Sequence, residues 1–143
     1  ENLFENKRIV EEIALQSVHC LLTLNAEGME QKEFLVRLFS ASAAKQAEEV
    51  VERIREKFPQ DFRFFQSVKV FQIKSRTNRD HILVRIEGQA VRTGEFPDGQ
   101  SFRYEEPLVL RLQLVKNADM MDGKRWPLIV DKFDLQWEQQ TNA

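Results

Sequence analysis

The 143 residues include a single cysteine, Cys20, so no intramolecular disulfide can form and no cysteine-rich metal site can be built. An excess of positive charge is missing too: Lys plus Arg number 21 against 23 Asp plus Glu, a formal net charge of -2. Neither part of the chain hides a basic block, since residues 1–60 hold 8 basic and 11 acidic side chains and residues 61–143 hold 13 and 12. A protein built to coat nucleic acid shows a clear basic surplus, so direct nucleic-acid binding is not expected. There is no run of about 18 apolar residues and no secretory leader pattern. The chain begins at Glu1 rather than Met and is read as a fragment that a membrane anchor or signal can precede. One cysteine leaves the compartment open, because disulfide-free domains occur in the periplasm and in the cytosol.

What is present is ordinary for a soluble domain, with 42% hydrophobic and 31% charged residues. The length suffices for one sizeable core, and residues 1–143 are read as a single domain. From Leu3 to Leu24 apolar residues recur at Ile9, Ile13, Val18, Leu21, Leu22 and Leu24, the period of an amphipathic helix. "LNAEG" ends it, with Gly28 available for a left-handed cap. Phe34, Leu35, Leu38 and Phe39 predict a shorter helix, and Ala43, Ala44, Ala47, Val50, Val51 and Ile54 a third, with a break near Phe39–Ser42. Pro59 closes the helical region.

Beyond Phe62 the period becomes two. Ile82, Val84, Ile86 and Ala90 share one face, and Leu108, Leu110, Leu112 and Leu114 share another. In the last strand Ile129, Phe133, Leu135 and Trp137 are placed on one face, interrupted by Asp131. The first strand is ambiguous: Val68 and Val70 face one side and Phe65, Phe71 and Ile73 the other, which requires a bulge or burial on both faces. Polar connectors ("SRTNRD", "GEFPDGQ", "KNADMMDGKR") join these strands as hairpins. The expected fold is α+β: three N-terminal helices packed on a curved four-stranded antiparallel sheet.

Chemistry is sparse. His19 and Cys20 adjoin, but helix neighbours diverge by about 100°, so they do not form a base–nucleophile pair. Cys20 reads as a small buried hydrophobe and His81 as a solvated histidine in a turn beside Asp80. Two distant histidines and one cysteine do not make a zinc site. Asp131 among apolar residues is the best acid–base candidate, with His81 the alternative, for an enzyme or small-ligand binder; a carboxylate paired with arginine is the other reading of Asp131. Gly88 inside a strand points to a bulge rather than a phosphate loop. Lys69, Arg85, Arg111 and Lys132 alternate with Glu87, Gln113 and Asp134, the pattern of a mixed solvated sheet face. Met120 and Met121 in one loop and Phe96 in another hairpin tip are candidates for partner contact; folding back onto the domain is the other reading of each.

The stretches "FFQSVKVFQI", "HILVRIEGQAVRTG" and "SFRYEEPLVLRLQLVKN", following helices that end in "EEVVERIREKFP", give the chain a resemblance to the TraE family of conjugative type IV secretion systems, whose soluble part is similar to VirB8 proteins. The resemblance implies a cone-shaped fold similar to nuclear transport factor two. It implies an inner-membrane protein with one transmembrane helix before this periplasmic domain. The role implied is that of a scaffold for DNA transfer, in contact with other channel subunits and with copies of itself, with no active site and no cofactor. The Met120–Met121 loop has no counterpart in that family pattern.

Overall fold

A computed structural model describes residues 6–58, 63–117 and 127–138. The first helix, α1 (Lys7–Leu22), starts where the Asn6 side chain accepts a hydrogen bond from the Ile9 backbone N–H at 3.2 Å, meeting one of the unpaired donors of the first turn. It buries Val10, Ile13, Ala14, Ser17, Val18 and Leu21, the stripe that a 3.6-residue period demands. Ser17 lies in that stripe without penalty because its hydroxyl donates to the Ile13 carbonyl at 2.7 Å.

"LNAEG" is not a simple helix stop. Leu24–Asn25 (β1) and Gly28–Met29 (β2) form a minimal antiparallel hairpin, and β1 pairs onto the third strand at Phe65 and Gln66. The Asn25 side chain accepts from the Glu27 N–H at 2.7 Å, and Gly28 has φ +129, a value open to glycine and strained for other residues. The sheet therefore has six strands rather than four, with β2 at one edge and β1 next to it. A 3-10 turn at Lys32–Phe34 runs into α2 (Leu35–Leu38), and the chain then breaks as the pattern predicts. Ser40 caps α3 (Ala41–Glu56) by accepting from the Ala43 N–H at 3.2 Å. Along α3, Ala43, Ala47, Val51 and Ile54 are buried. The expected helix start at Leu3 and the closure at Pro59 lie outside the described residues.

Three long strands follow, β3 (Arg63–Asn78), β4 (His81–Glu95) and β5 (Ser101–Lys116), with the shorter β6 (Leu128–Trp137) at the outer edge. Leu108, Leu110, Leu112 and Leu114 of β5 sit in register with Gly88, Ile86, Val84 and Ile82 of β4. All four leucines are buried beneath the helices. Strands of this length must twist and curl, and two bulges assist. In β3, Phe71 has no partner between Val70↔Gly88 and Gln72↔Glu87, which puts Val68, Val70 and Ile73 on one face and resolves the ambiguity of the first strand. Beside it, a Cβ on Gly88 would collide with the Lys69 carbonyl oxygen, so the bulge depends on glycine there.

The second bulge corrects the reading of the last strand. Lys132 pairs with Gln113 and Val130 with Leu114, leaving Asp131 as the extra residue. The core face of β6 is thus Leu128 and Val130 before the bulge and Phe133, Leu135 and Trp137 after it. Ile129 lies opposite Val115 on the other face. A strict period of two cannot see this, because one inserted residue reverses every assignment on one side of it.

Candidate interaction surface

The residues singled out in the sequence do not converge. Phe96 stands at the tip of the β4–β5 hairpin, 44% exposed, with its ring 5.7 Å from that of Phe102. It is at once solvent-facing and braced. Met120 and Met121 lie outside the described residues. His81, half-buried at the start of β4, is opposite Asn78 and Val115. Asp131 is the extra residue of the β6 bulge, where its carbonyl accepts from the Ser40 hydroxyl at 3.4 Å. Among the described residues neither the His81 nor the Asp131 side chain has a hydrogen-bond or ion-pair partner, and no group of three His, Cys, Asp or Glu could hold a metal. The expected arginine partner falls to Asp134 instead, whose carboxylate is 3.8 Å from Arg111.

Cys20 is buried, with its thiol 3.5 Å from the Gln31 carbonyl. Burial, reinforced by the Glu33 charge, pushes the thiol up to about 12, which suppresses the thiolate that nucleophilic chemistry needs. This is the small buried hydrophobe expected of it.

The structure brings together a polar cluster that the sequence reading passed over. Arg92 on β4 is 3% exposed. Its Nε donates to Gln66 Oε1 at 2.8 Å and its Nη1 to Glu106 Oε1 at 2.8 Å. Gln66 in turn donates to the Leu22 carbonyl at 2.8 Å, tying the end of α1 to the sheet. The guanidinium lies 4.7 Å from the Trp137 ring and 5.7 Å from that of Tyr104. Only its Nη2 has no hydrogen-bond partner among the described residues. A signal existed: Arg92, Gln66 and Glu106 each continue the core-facing phase of its own strand, Arg92 being the next such position after Ala90.

Trp137 carries this cluster to the surface. Its ring lies between Arg92 and the Lys57 ammonium, the latter 6.0 Å away. It closes one end of a groove of about 330 Å³ between α3 and the edge strand β6. Val50, Ile54, Phe133 and Leu135 line the groove, with Gln46, Arg53 and Lys57 along its helix side. Neither Arg53 nor Lys57 makes an ion pair with a described residue.

On the opposite face of the sheet, pairing sets Lys74, Arg85, Arg111 and Asp134 in one cross-strand row, with Arg76 in the next. The face is less evenly mixed than alternation along each strand implied. Glu87, 3.1 Å from Arg85, and Asp134 answer part of this charge.

No family model matches the sequence, and no curated protein matches it at the sequence level. Solved structures do match. An IcmL-like type IV secretion system protein from Legionella pneumophila superposes with a TM-score of 0.70 at 11% identity, covering 96% of this chain and 97% of that one. CagV, a VirB8 homologue of the type IV secretion system of Helicobacter pylori, gives 0.66 at 12% identity, covering 93% and 100%. The VirB8 protein of Agrobacterium tumefaciens gives 0.64 at 10% identity, covering 99% of each chain. At these identities the likeness is one of fold: three helices on a curled antiparallel sheet, the VirB8-like arrangement.

Proposed function

We propose that this chain is the periplasmic domain of an inner-membrane scaffold subunit in a type IV secretion apparatus of the conjugative, DNA-transferring kind, and that it is TraE-like within that class. It works by contact with other channel subunits and with copies of itself, without catalysis and without a cofactor. The observation that carries this reading is the whole-chain match in fold to three secretion-system proteins, in which almost nothing of either partner is left over. Two features of the interior support it. The space beneath the helices is filled by Leu108, Leu110, Leu112, Leu114, Leu128 and Phe133, and the acid–base candidate Asp131 lies at a bulge of the edge strand with no described group paired to its carboxylate. Phe96 and the Met120–Met121 loop remain proposed contact points of this scaffold.

The test uses the full-length gene product in cells. Cys20 is too buried to report topology, so it is replaced by Ser and a single cysteine is placed at exposed Ser101. Labelling of that cysteine by a membrane-impermeant maleimide in intact spheroplasts, with the protein in the inner-membrane fraction, is the expected result. Deletion of the gene should then abolish DNA transfer. Labelling only after lysis, or transfer that survives the deletion, overturns the proposal.

A further inference from the structure

We propose that the groove between α3 and the outer edge of β6 is a docking site for an extended, acidic segment of a partner protein, which adds to the sheet as one more strand. The groove itself carries this, and it goes beyond the scaffolding role, which names Phe96 and the Met120–Met121 loop as contact points but not this groove.

In an antiparallel strand, alternate residues turn both their N–H and C=O away from the neighbour. On β6 the phase is fixed by two bonds that leave the strand outward. The Val130 carbonyl accepts from the Ser40 N–H at 2.9 Å, and the Phe133 carbonyl accepts from the Gln46 side chain at 3.1 Å. Glu138 N–H reaches inward to the Pro107 carbonyl at 3.0 Å, which agrees with that phase. Leu135 and Trp137 therefore present their N–H and C=O outward, and no described residue bonds to them. The upper part of the edge is thus capped by the protein's own residues, and the lower part, at the groove, is left open by the described residues. An open edge is a template for strand addition unless it is blunted.

A strand laid beside Leu135 and Trp137 turns alternate residues toward Val50, Ile54, Leu135 and Trp137, which offer an apolar floor. Along the helix side stand Arg53 and, one turn on at the C-cap of α3, Lys57; neither has an ion-pair partner among the described residues, and Lys57 rests near the Trp137 ring. Asp134 also lines the groove, but its carboxylate is drawn toward Arg111. The charge the site lacks is negative. A volume of about 330 Å³ suits a short segment rather than a folded domain. The cleft between α1 and β3 fits less well, because Lys74, Ser75, Arg76 and Thr77 make its sheet side polar.

The test titrates the chain with a short fluorescent peptide whose groove-facing positions, every second residue, are valine and glutamate in turn, with threonine between them; the comparison peptide has lysine for each glutamate. Saturable binding of the acidic peptide alone is expected, weaker at high salt. Arg53→Glu with Lys57→Glu should weaken it by at least about tenfold, as like charges then face the ligand. Both side chains are exposed, so the double variant should keep its fold. N-methylation of the peptide backbone on alternate residues should abolish binding in one phase and spare it in the other. The Leu135 and Trp137 amides should become protected from solvent exchange when peptide is bound. Equal binding of the lysine peptide, indifference to the double charge reversal, indifference to N-methylation, or absence of binding overturns the proposal. Protection of those two amides that grows with protein concentration alone overturns it in favour of a second copy of this chain.

Discussion

The two halves of the core-facing side of the sheet are made by the same strands and solve burial differently. In one half, rows such as Ile86–Leu110–Leu135 and Val84–Leu112–Phe133 meet the helices with hydrocarbon alone. In the other, Gln66, Arg92 and Tyr104 occupy a row where the same alternation would put apolar residues. The dry half gains stability simply by area removed from water, about 25 cal/mol per Å². The polar half must first offset the several kcal/mol needed to desolvate a guanidinium. It does so with two short charge-assisted hydrogen bonds and the face of Trp137. Hydrocarbon is tolerant of small shifts; a hydrogen-bonded guanidinium is not. The second half therefore fixes the end of α1, through Gln66 and Leu22, and the wall of the α3–β6 groove, through Trp137.

The contrast can be broken most sharply on the dry side. Leu110→Ala should cost roughly 2–5 kcal/mol in chemical denaturation, because the leucine is fully buried and its space cannot collapse completely. A loss below about 0.5 kcal/mol, the size of a surface substitution, would show that this half is not a packed core. On the polar side, Glu106→Gln should cost about 1–3 kcal/mol, since it removes the carboxylate from a buried guanidinium while some solvent reaches the site. Arg92→Met combined with Glu106→Leu should cost less than Glu106→Gln alone, because no charge is then left stranded. A double variant that is worse than the single one would mean that the Trp137 contact outweighs the ion pair.

Cys20 probes the helix layer itself. Burial pushes its folded thiol up to about 12 from the ordinary 9.0, so both states are neutral well below pH 9 and the thiol costs the fold nothing there. As the pH rises from 9 toward 12 only the unfolded chain ionises, and stability should fall across that window. Cys20→Ala should remove this part of the alkaline decline, and a thiol reagent at pH 8 should label Cys20 only as fast as the fold opens. Immediate labelling would place the thiol at the surface. The smallest effect is expected outside both halves. Asp131→Asn should change stability by less than about 0.5 kcal/mol, because the bulge uses its backbone and no described group pairs with its carboxylate.

Helices with an apolar stripe and strands with alternating leucines were legible in the sequence because each depends on its own local period. The break before α3 was legible for the same reason, since Ser40 meets the needs of the helix that begins beside it. The first bulge could be suspected, because Phe71 spoils the alternation of a strand otherwise well patterned. What could not be read along the chain was which residues would lie side by side. A two-residue strand such as Leu24–Asn25 has too few positions to show a period, and it exists because Phe65 and Gln66 offer it an edge. The bulge at Asp131 is defined by its mismatch with Gln113 and Leu114 on another strand. Nothing along its own strand marks Arg92 out; Gln66, Glu106 and Trp137 converge on it from three other strands. The groove likewise exists only once α3 is laid against β6. Periodicity is a property of one segment in water, whereas register, burial of charge and open edges are properties of two segments in contact. Local pattern therefore suffices for the long helices and strands and for their apolar faces up to a bulge, whereas tertiary packing decides the two-residue strands, the second bulge and where the polar groups meet.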